Sequence, residues 1–325
     1  MKLGFYMGYA PPGTNPTELV ALAREAERLG YDSAWAAEAW GTDAVSVIAW
    51  LAAVTERIKV GSAIMQIPAR TPAATAMTAA TLDLMSGGRF LLGLGTSGPQ
   101  VVEGWHGQEW GKPLGRTREY VAIVRAALRR EQLVHQGEHY RLGTPPLKLM
   151  LRPLRAEIPI YLAAMSPKAV EQAAEIADGW LPLFFVPEKA RELFPAPFAR
   201  RGLEIAPSVP VVLGSDVQAA RDALKGYYAF YIGSMGSRGT NFYNRLFAHY
   251  GYEREAAEIQ ELGLAGRQRD AAALVPDSFV DEAALVGPKE RIAERLAAFR
   301  ESGATTLLIS TRDPAALRAV AEAAA

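Results

Sequence analysis

The chain has 325 residues, 50% of them hydrophobic, and its 35 Lys and Arg balance 35 Asp and Glu to a formal net charge of zero. That balance gives no basis for a nucleic-acid or membrane-surface partner recognised through bulk charge. The absence of cysteine excludes disulfides, thiolate catalysis and Cys-ligated metal. The opening MKLGFYMGYAPPG has neither a long apolar stretch nor a small-residue cleavage site, and no run of about 18 apolar residues follows. The expectation is a soluble cytoplasmic protein.

Short apolar strands alternate with amphipathic helices, the pattern of a parallel sheet covered by helices. Eight strands are predicted: LGFYMGY from Leu3, DSAWAAE from Asp32, IKVGSAI from Ile58, RFLLGLG from Arg89, IPIYLAA from Ile158, DGWLPLF from Asp178, SVPVVLG from Ser208 and TTLLIST from Thr305. Eight alternating units favour a closed (β/α)8 TIM barrel over an open sheet. Such barrels commonly run to about 250 residues and tolerate insertions, so residues 1–325 are read as one barrel domain. An open dinucleotide-binding sheet would carry G-x-G-x-x-G after its first strand. Here Gly8-Tyr9-Ala10-Pro11-Pro12-Gly13 is broken by proline.

The second strand ends at Glu38, in AAEAWGTD. At a barrel rim this carboxylate either bonds a ligand ring or transfers a proton, or it caps the next helix or pairs with an Arg; the sequence leaves both open. Trp40 offers a flat face for stacking on an aromatic cofactor, against simple packing under a loop. Asp43 reads as the N-cap of helix AVSVIAWLAAV.

Residues 58–98 spell one full strand, helix and second strand. Thr71-Pro72 opens the helix and Gly87-Gly88 closes it in the manner of a left-handed cap. The second strand runs into Gly95-Thr96-Ser97-Gly98, a Gly-rich loop at the carboxyl end of a buried parallel strand, where backbone N–H groups meet an anionic ligand. That loop points to a cofactor site.

Insertions are expected near 99–115, 130–157 and 227–288. The first, EGWHGQEWGKPLG, follows the Gly-rich loop and reads as a pocket wall. The second contains LVHQGEHYRL, a small hairpin around Gln136-Gly137. The third gathers Tyr227, Tyr228, Phe230, Tyr231, Phe242, Tyr243, Phe247, Tyr250 and Tyr252 around GSMGSRG, a cluster that serves either as core or dimer contact or as a pocket. His106, His135, His139 and His249 have no metal-ligand spacing near a strand end, so no metal is expected.

The runs YDSAWAAEAWGTDA, GSAIMQIPARTPAATAMTAATLDLMSGGRFLLGLGTSGPQVVEGWHG and IPIYLAAMSPKAVEQAAEIADGWLP resemble the bacterial-luciferase-like superfamily. Within it they resemble the oxidoreductases that use the deazaflavin coenzyme F420. The combination of TLDLMSGGR, LGLGTSGPQ and GWHG is specific and spans most of the barrel, whereas 205–290 is less diagnostic. The resemblance implies a (β/α)8 barrel, a deazaflavin or flavin across its carboxyl face, and a homodimer.

In such relatives a non-prolyl cis peptide ends the third strand and forms a bulge behind the ring, favouring its bent, reduced form; the matching bond is Ala63-Ile64. Family phosphate contacts map to Gly95, Thr96, Ser97 and Gly98, and to Ala164, Met165 and Ser166, although relatives often have Gly where this chain has Met165 and Ser166. Ser166-Pro167 reads as N-cap and first helical residue, which leaves N–H groups free for an anion. The coenzyme's acidic oligoglutamate tail implies a basic groove, for which Arg70, Lys112, Arg116 and Lys168 are candidates, each otherwise a solvated surface charge.

The family's usual His after the second-strand acid is Ala39 here. This leaves Glu38 or His106 as candidate catalytic proton donor or acceptor and favours reduction of an activated C=C or C=N bond. Two further readings stand beside the F420-dependent oxidoreductase: an FMN-dependent luciferase-like monooxygenase and a non-catalytic F420-binding protein.

Overall fold

The computed structural model describes residues 1–9 and 14–325, so the Pro11-Pro12 stretch weighed against a dinucleotide fingerprint lies outside the described residues. All eight predicted strands form: β1 (Lys2–Gly8), β2 (Ser33–Ala36), β3 (Lys59–Ser62), β4 (Phe90–Gly95), β5 (Ile160–Ala163), β6 (Gly179–Leu181), β7 (Ser208–Leu213) and β8 (Thr306–Ser310). They pair in parallel, each with its sequence neighbour from β1 to β6, with β8 between β7 and β1. The strand Glu204–Ile205 pairs with β6 and runs directly into β7. Along this stretch Ala206 N donates to Trp180 O (2.9 Å) and Ser208 N to Pro182 O (3.2 Å), while on its other side Leu308 N donates to Pro207 O (2.9 Å). Those bonds close the sheet into the expected (β/α)8 barrel.

Helices α1 (Pro16–Arg28), α2 (Ala44–Val54), α3 (Pro72–Met85), α4 (Pro99–Gly104), α5 (Pro113–Leu128) and α6 (Pro167–Ile176) follow the first five strands. Local chemistry sets their ends as read from sequence. Asp43 caps α2 through Ser46 N (2.7 Å), and Thr71 caps α3 through Ala74 N (3.2 Å). Gly87 and Gly88, at φ 65° and 85°, carry the chain out of α3, and Gly88 N bonds back to Asp83 O at 2.8 Å.

Two polar anchors then hold the outer ring to the barrel. Arg89 gives its guanidinium to Ala52 O, Thr55 O and Ile58 O, closing the end of α2. Asp83 is fully buried and receives Arg155 from Nε at 3.0 Å, which ties the 130–157 segment to α3. That segment holds the predicted hairpin, His135–Gln136 antiparallel to Arg141–Leu142.

After β6 come α7 (Pro187–Leu193) and α8 (Pro195–Ala199). Beyond β7 the chain forms α9 (Val217–Ser234), α10 (Phe242–His249), α11 (Glu253–Leu264), α12 (Gln268–Ala273) and α13 (Asp277–Ala283), then a short strand, Leu285–Gly287, beside β7. Helix α14 (Lys289–Glu301) leads to β8, and α15 (Pro314–Ala324) follows it. Among the described residues, no helix is long and apolar enough to cross a membrane.

Inside the barrel a separate apolar layer joins Trp35, Leu91, Tyr161, Leu181 and Leu308, with the Trp35 and Tyr161 rings edge to face at 5.2 Å. Higher up, β3 and β4 come so close that Ser62 Oγ both donates to Gly93 O (2.8 Å) and accepts from Gly93 N (2.9 Å). A Cβ on Gly93 would lie 1.8 Å from Ser62 O, so backbone rather than a movable side chain forbids it. Gly93→Ala is expected to cost roughly 3 kcal/mol or more, read as a lowered urea midpoint. Gly226→Ala, with nothing within 4 Å of the added Cβ in α9, is expected to be neutral or stabilising by up to about 1 kcal/mol.

Candidate active site

The carboxyl ends of the strands surround a cavity of about 630 Å³, within the range of roughly 300–1,000 Å³ usual for small-molecule sites. One wall is built from consecutive strand ends: Ala63 and Ile64 after β3, Gly95 to Gly98 after β4, and Ala163 to Ser166 after β5. The Ala63-Ile64 peptide is cis, as the resemblance implied. A Cβ on Gly95 would lie 2.9 Å from Ile64 Cδ1, so the two strand ends sit directly against each other. Ser97 adopts the left-handed region at φ 60°. Ser166 caps α6 without a side-chain bond to its first turn, leaving its hydroxyl uncommitted, and Met165 packs partly into the core.

The facing wall is aromatic and comes from β1 and the helical insertion. Tyr6, Tyr9, Tyr231, Phe242 and Tyr243 all line the cavity. Burial pushes the Tyr6, Tyr231 and Tyr243 phenols well up; burial also raises Tyr9, relieved in part by a hydrogen bond with Tyr231. All four therefore stay neutral and act as donors through ordinary pH. Trp110, from the 99–115 insertion, meets Phe242 at 6.1 Å between ring centres, so two insertions touch at the cavity. The predicted cluster thus divides its duties: Tyr228, Phe247, Tyr250 and Tyr252 pack around Phe184 and Phe279 as core, while Tyr231, Phe242 and Tyr243 face the ligand space.

Other candidates sit differently from expectation. Glu38 lines the cavity at 8% exposure, yet its oxygens are already engaged. Arg70 donates to both, at 2.5 and 2.9 Å, and Gln66 N and Ala44 N add bonds at 3.1 and 3.3 Å. A carboxylate so satisfied is a brace rather than the proton-transfer group weighed above. Arg70 also holds Asp43 at 2.6 Å. Burial pushes the Asp43 carboxyl up, but the Ser46 hydroxyl and N–H together with Arg70 outweigh it and hold it below its usual range. Trp40 is 45% exposed and outside the cavity lining, because the chain turns outward after Ala39; the stacking role expected of it has no support there. His106 is also outside the lining and bonds Gln66 Oε1 at 2.6 Å, so it does not present a proton to the cavity. Of the four candidate groove cations only Lys168 lines the cavity. Lys112 pairs with Glu138 and Arg116 donates to Glu109 O.

Three contributors were not singled out in the sequence. Gln66, just beyond the cis peptide, is 1% exposed and connects His106 to Ser97. Thr117 on α5 lines the cavity at 5% exposure with its hydroxyl unpartnered, and Gln172 from α6 joins it in the wall. Only the position of Gln66 two residues past a strand end was a readable signal. Among the described residues no group of three His, Cys, Asp or Glu side chains is disposed to hold a metal.

The buried pairing makes a stability prediction. Arg70→Met leaves Glu38 a charge without its counter-ion and is expected to cost about 3–5 kcal/mol. Adding Glu38→Gln to Arg70→Met should recover much of that in a denaturant double-mutant cycle, whereas additive losses would show that the pair is not coupled.

A family model for luciferase-like monooxygenases matches residues 2–306. A putative coenzyme F420-dependent oxidoreductase of Mycobacterium tuberculosis is 44% identical, over 98% of this chain and 99% of that protein. The 5,10-methylenetetrahydromethanopterin reductase of Archaeoglobus fulgidus is 29% identical over 90% of this chain and 88% of its own length. Among solved structures, the coenzyme F420 dependent tetrahydromethanopterin reductase of Methanopyrus kandleri superposes with a TM-score of 0.83 at 23% identity, covering 99% of this chain and 97% of that one. With a closed parallel barrel, a cis peptide after its third strand and a cavity at its carboxyl face, the chain belongs to the luciferase-like family.

Proposed function

We propose that the protein is a coenzyme F420-dependent oxidoreductase that reduces an activated C=C or C=N bond of a small, largely apolar substrate. The observation that carries this reading is the division of the cavity into a hydroxyl- and glycine-lined strand-end wall and a wall of neutral phenols, with no uncommitted carboxylate among the described lining residues. The name of the 44% identical relative supports the coenzyme, and that of the Archaeoglobus fulgidus protein supports the direction of reaction.

The residues present fit such a group. Ala63 and Ile64 would back the ring, and Gly95 admits it without a side chain in the way. The loop Gly95-Thr96-Ser97-Gly98 with Ala164, Met165 and Ser166 would hold the phosphate through N–H and hydroxyl donors. The orphaned Thr117 hydroxyl gains a partner from a polar tail, and Lys168 offers the charge. When bound, the reduced deazaflavin supplies a hydride. The chain's part is to exclude water with its aromatic wall and to donate a proton from a phenol such as Tyr9 or Tyr231. An alcohol oxidation would need a base near neutrality; Ala39 provides none and Glu38 is braced.

Purified protein titrated with F420 and with FMN side by side is expected to bind F420, and the reduced coenzyme should be consumed by enones or imines. Tight FMN binding with oxygen-dependent turnover would instead establish the monooxygenase reading. Strict alcohol-dependent reduction of oxidised F420 would reverse the direction, and tight binding without turnover on a broad panel would leave a coenzyme-binding protein.

The homodimer is proposed on a separate observation. Helix α2 carries no charged side chain and α3 only Asp83, which is turned inward, although both lie in the barrel's outer ring. Trp50 of α2 and Met77, Leu84 and Met85 of α3 are exposed, with Met77 about two turns before the adjacent Leu84 and Met85. A helix that is apolar on its outer face as well as its inner one belongs in an interface. Met77→Lys combined with Met85→Lys is expected to halve the mass found by analytical ultracentrifugation without loss of helical signal.

A further inference from the structure

The GWHG motif has no part in the cavity lining, and its histidine is held by a defined chain of bonds. His106 Nε2 lies 2.6 Å from Gln66 Oε1, and Gln66 Nε2 donates to Ser97 Oγ at 3.0 Å. Gln66 pairs with Gly95 in the sheet and is 1% exposed, while its backbone N–H is spent on Glu38 at 3.1 Å. Of His106, Gln66 and Ser97, it is Ser97 that lines the cavity.

A primary amide has one accepting oxygen and one donating nitrogen, so a chain of bonds through it has a direction. When the imidazole N–H at Nε2 donates to the amide oxygen, the amide nitrogen must face Ser97 and fill a lone pair of its hydroxyl. The hydroxyl proton is then free to point elsewhere. With the amide reversed, Ser97 would donate to Gln66 and present only lone pairs to an incoming anion, which repels it. The left-handed backbone of Ser97 (φ 60°) is sparsely populated for a residue with a side chain and persists where its surroundings fix it.

We propose that His106 is a positioning residue which, by orienting the Gln66 amide, turns the Ser97 hydroxyl proton into the cavity as a donor to the coenzyme phosphate. This rests on the reading that Gly95 to Gly98 hold that phosphate. It also explains why a histidine beside the site contributes without lining it: the ring fixes the polarity of a relay and touches neither coenzyme nor substrate.

The test measures dissociation constants from quenching of deazaflavin fluorescence for two probes, coenzyme F420 and its phosphate-free ribityl deazaflavin chromophore. The wild-type chain is expected to prefer F420. Gln66→Glu, whose carboxylate accepts from both His106 and Ser97, should weaken F420 binding about tenfold or more and leave the phosphate-free probe essentially unchanged. Gln66→Met keeps the length without either polar group; it should narrow the same preference and keeps the test available if the carboxylate impairs folding. His106→Phe should narrow the preference likewise, and His106→Gln, which retains an N–H at similar reach, should restore it. A preference that persists in the Gln66 and His106 variants overturns the inference and leaves the phosphate reading standing. A wild-type chain with no preference for F420 removes the phosphate reading and this inference together.

Discussion

The mouth of the barrel depends on the Glu38–Arg70 pair. Glu38 ends the second strand, Arg70 lies in the connection from the third strand to α3, and the same carboxylate accepts the N–H of Gln66 and the first N–H of α2. One buried charge therefore ties together the end of the second strand, the start of α2 and the connection that follows the third strand. A carboxylate in this position is stable only while its partner and hydrogen bonds are all present. That requirement removes it from proton transfer and gives the site a rigid floor.

Rigidity at the strand ends and openness above them are consistent with the chemistry proposed. Tight approach at Gly93 and Gly95, with the cis bond between Ala63 and Ile64, shapes a wall of backbone and small groups. Opposite it, neutral phenols and apolar rings line the cavity and keep donors available. The result is a cavity able to shelter a hydride donor and a polarised bond, with few groups able to withdraw a proton from an alcohol.

Much of this was legible in local sequence. Thr71-Pro72 and Gly87-Gly88 mark the ends of α3 because caps act within a few residues, and Asp43 caps α2 for the same reason. Glu38 was readable as a rim residue, and its bond to Arg70 was one of two readings left open. The partner could not be chosen, since 32 residues separate them and only barrel closure brings them together. Trp40 and His106 show the same limit. Residue type suggested stacking and acid–base work, but the direction of each side chain depends on how the loop leaves the strand.

The sequence by itself determined the alternation of strands and helices, the helix ends, the Gly-rich strand end and the family, because each is written in periodicity or in short contiguous motifs. Tertiary structure alone decided what those residues do for one another. It turned Glu38 from a candidate acid into a brace, placed Gln66 between His106 and Ser97, buried the Thr117 hydroxyl without a partner in the cavity wall, and split the aromatic insertion into core and lining. The physical reason is that hydrogen-bond partnership and burial are properties of residues far apart in the chain, whereas capping, turn chemistry and hydrophobic period are properties of neighbours.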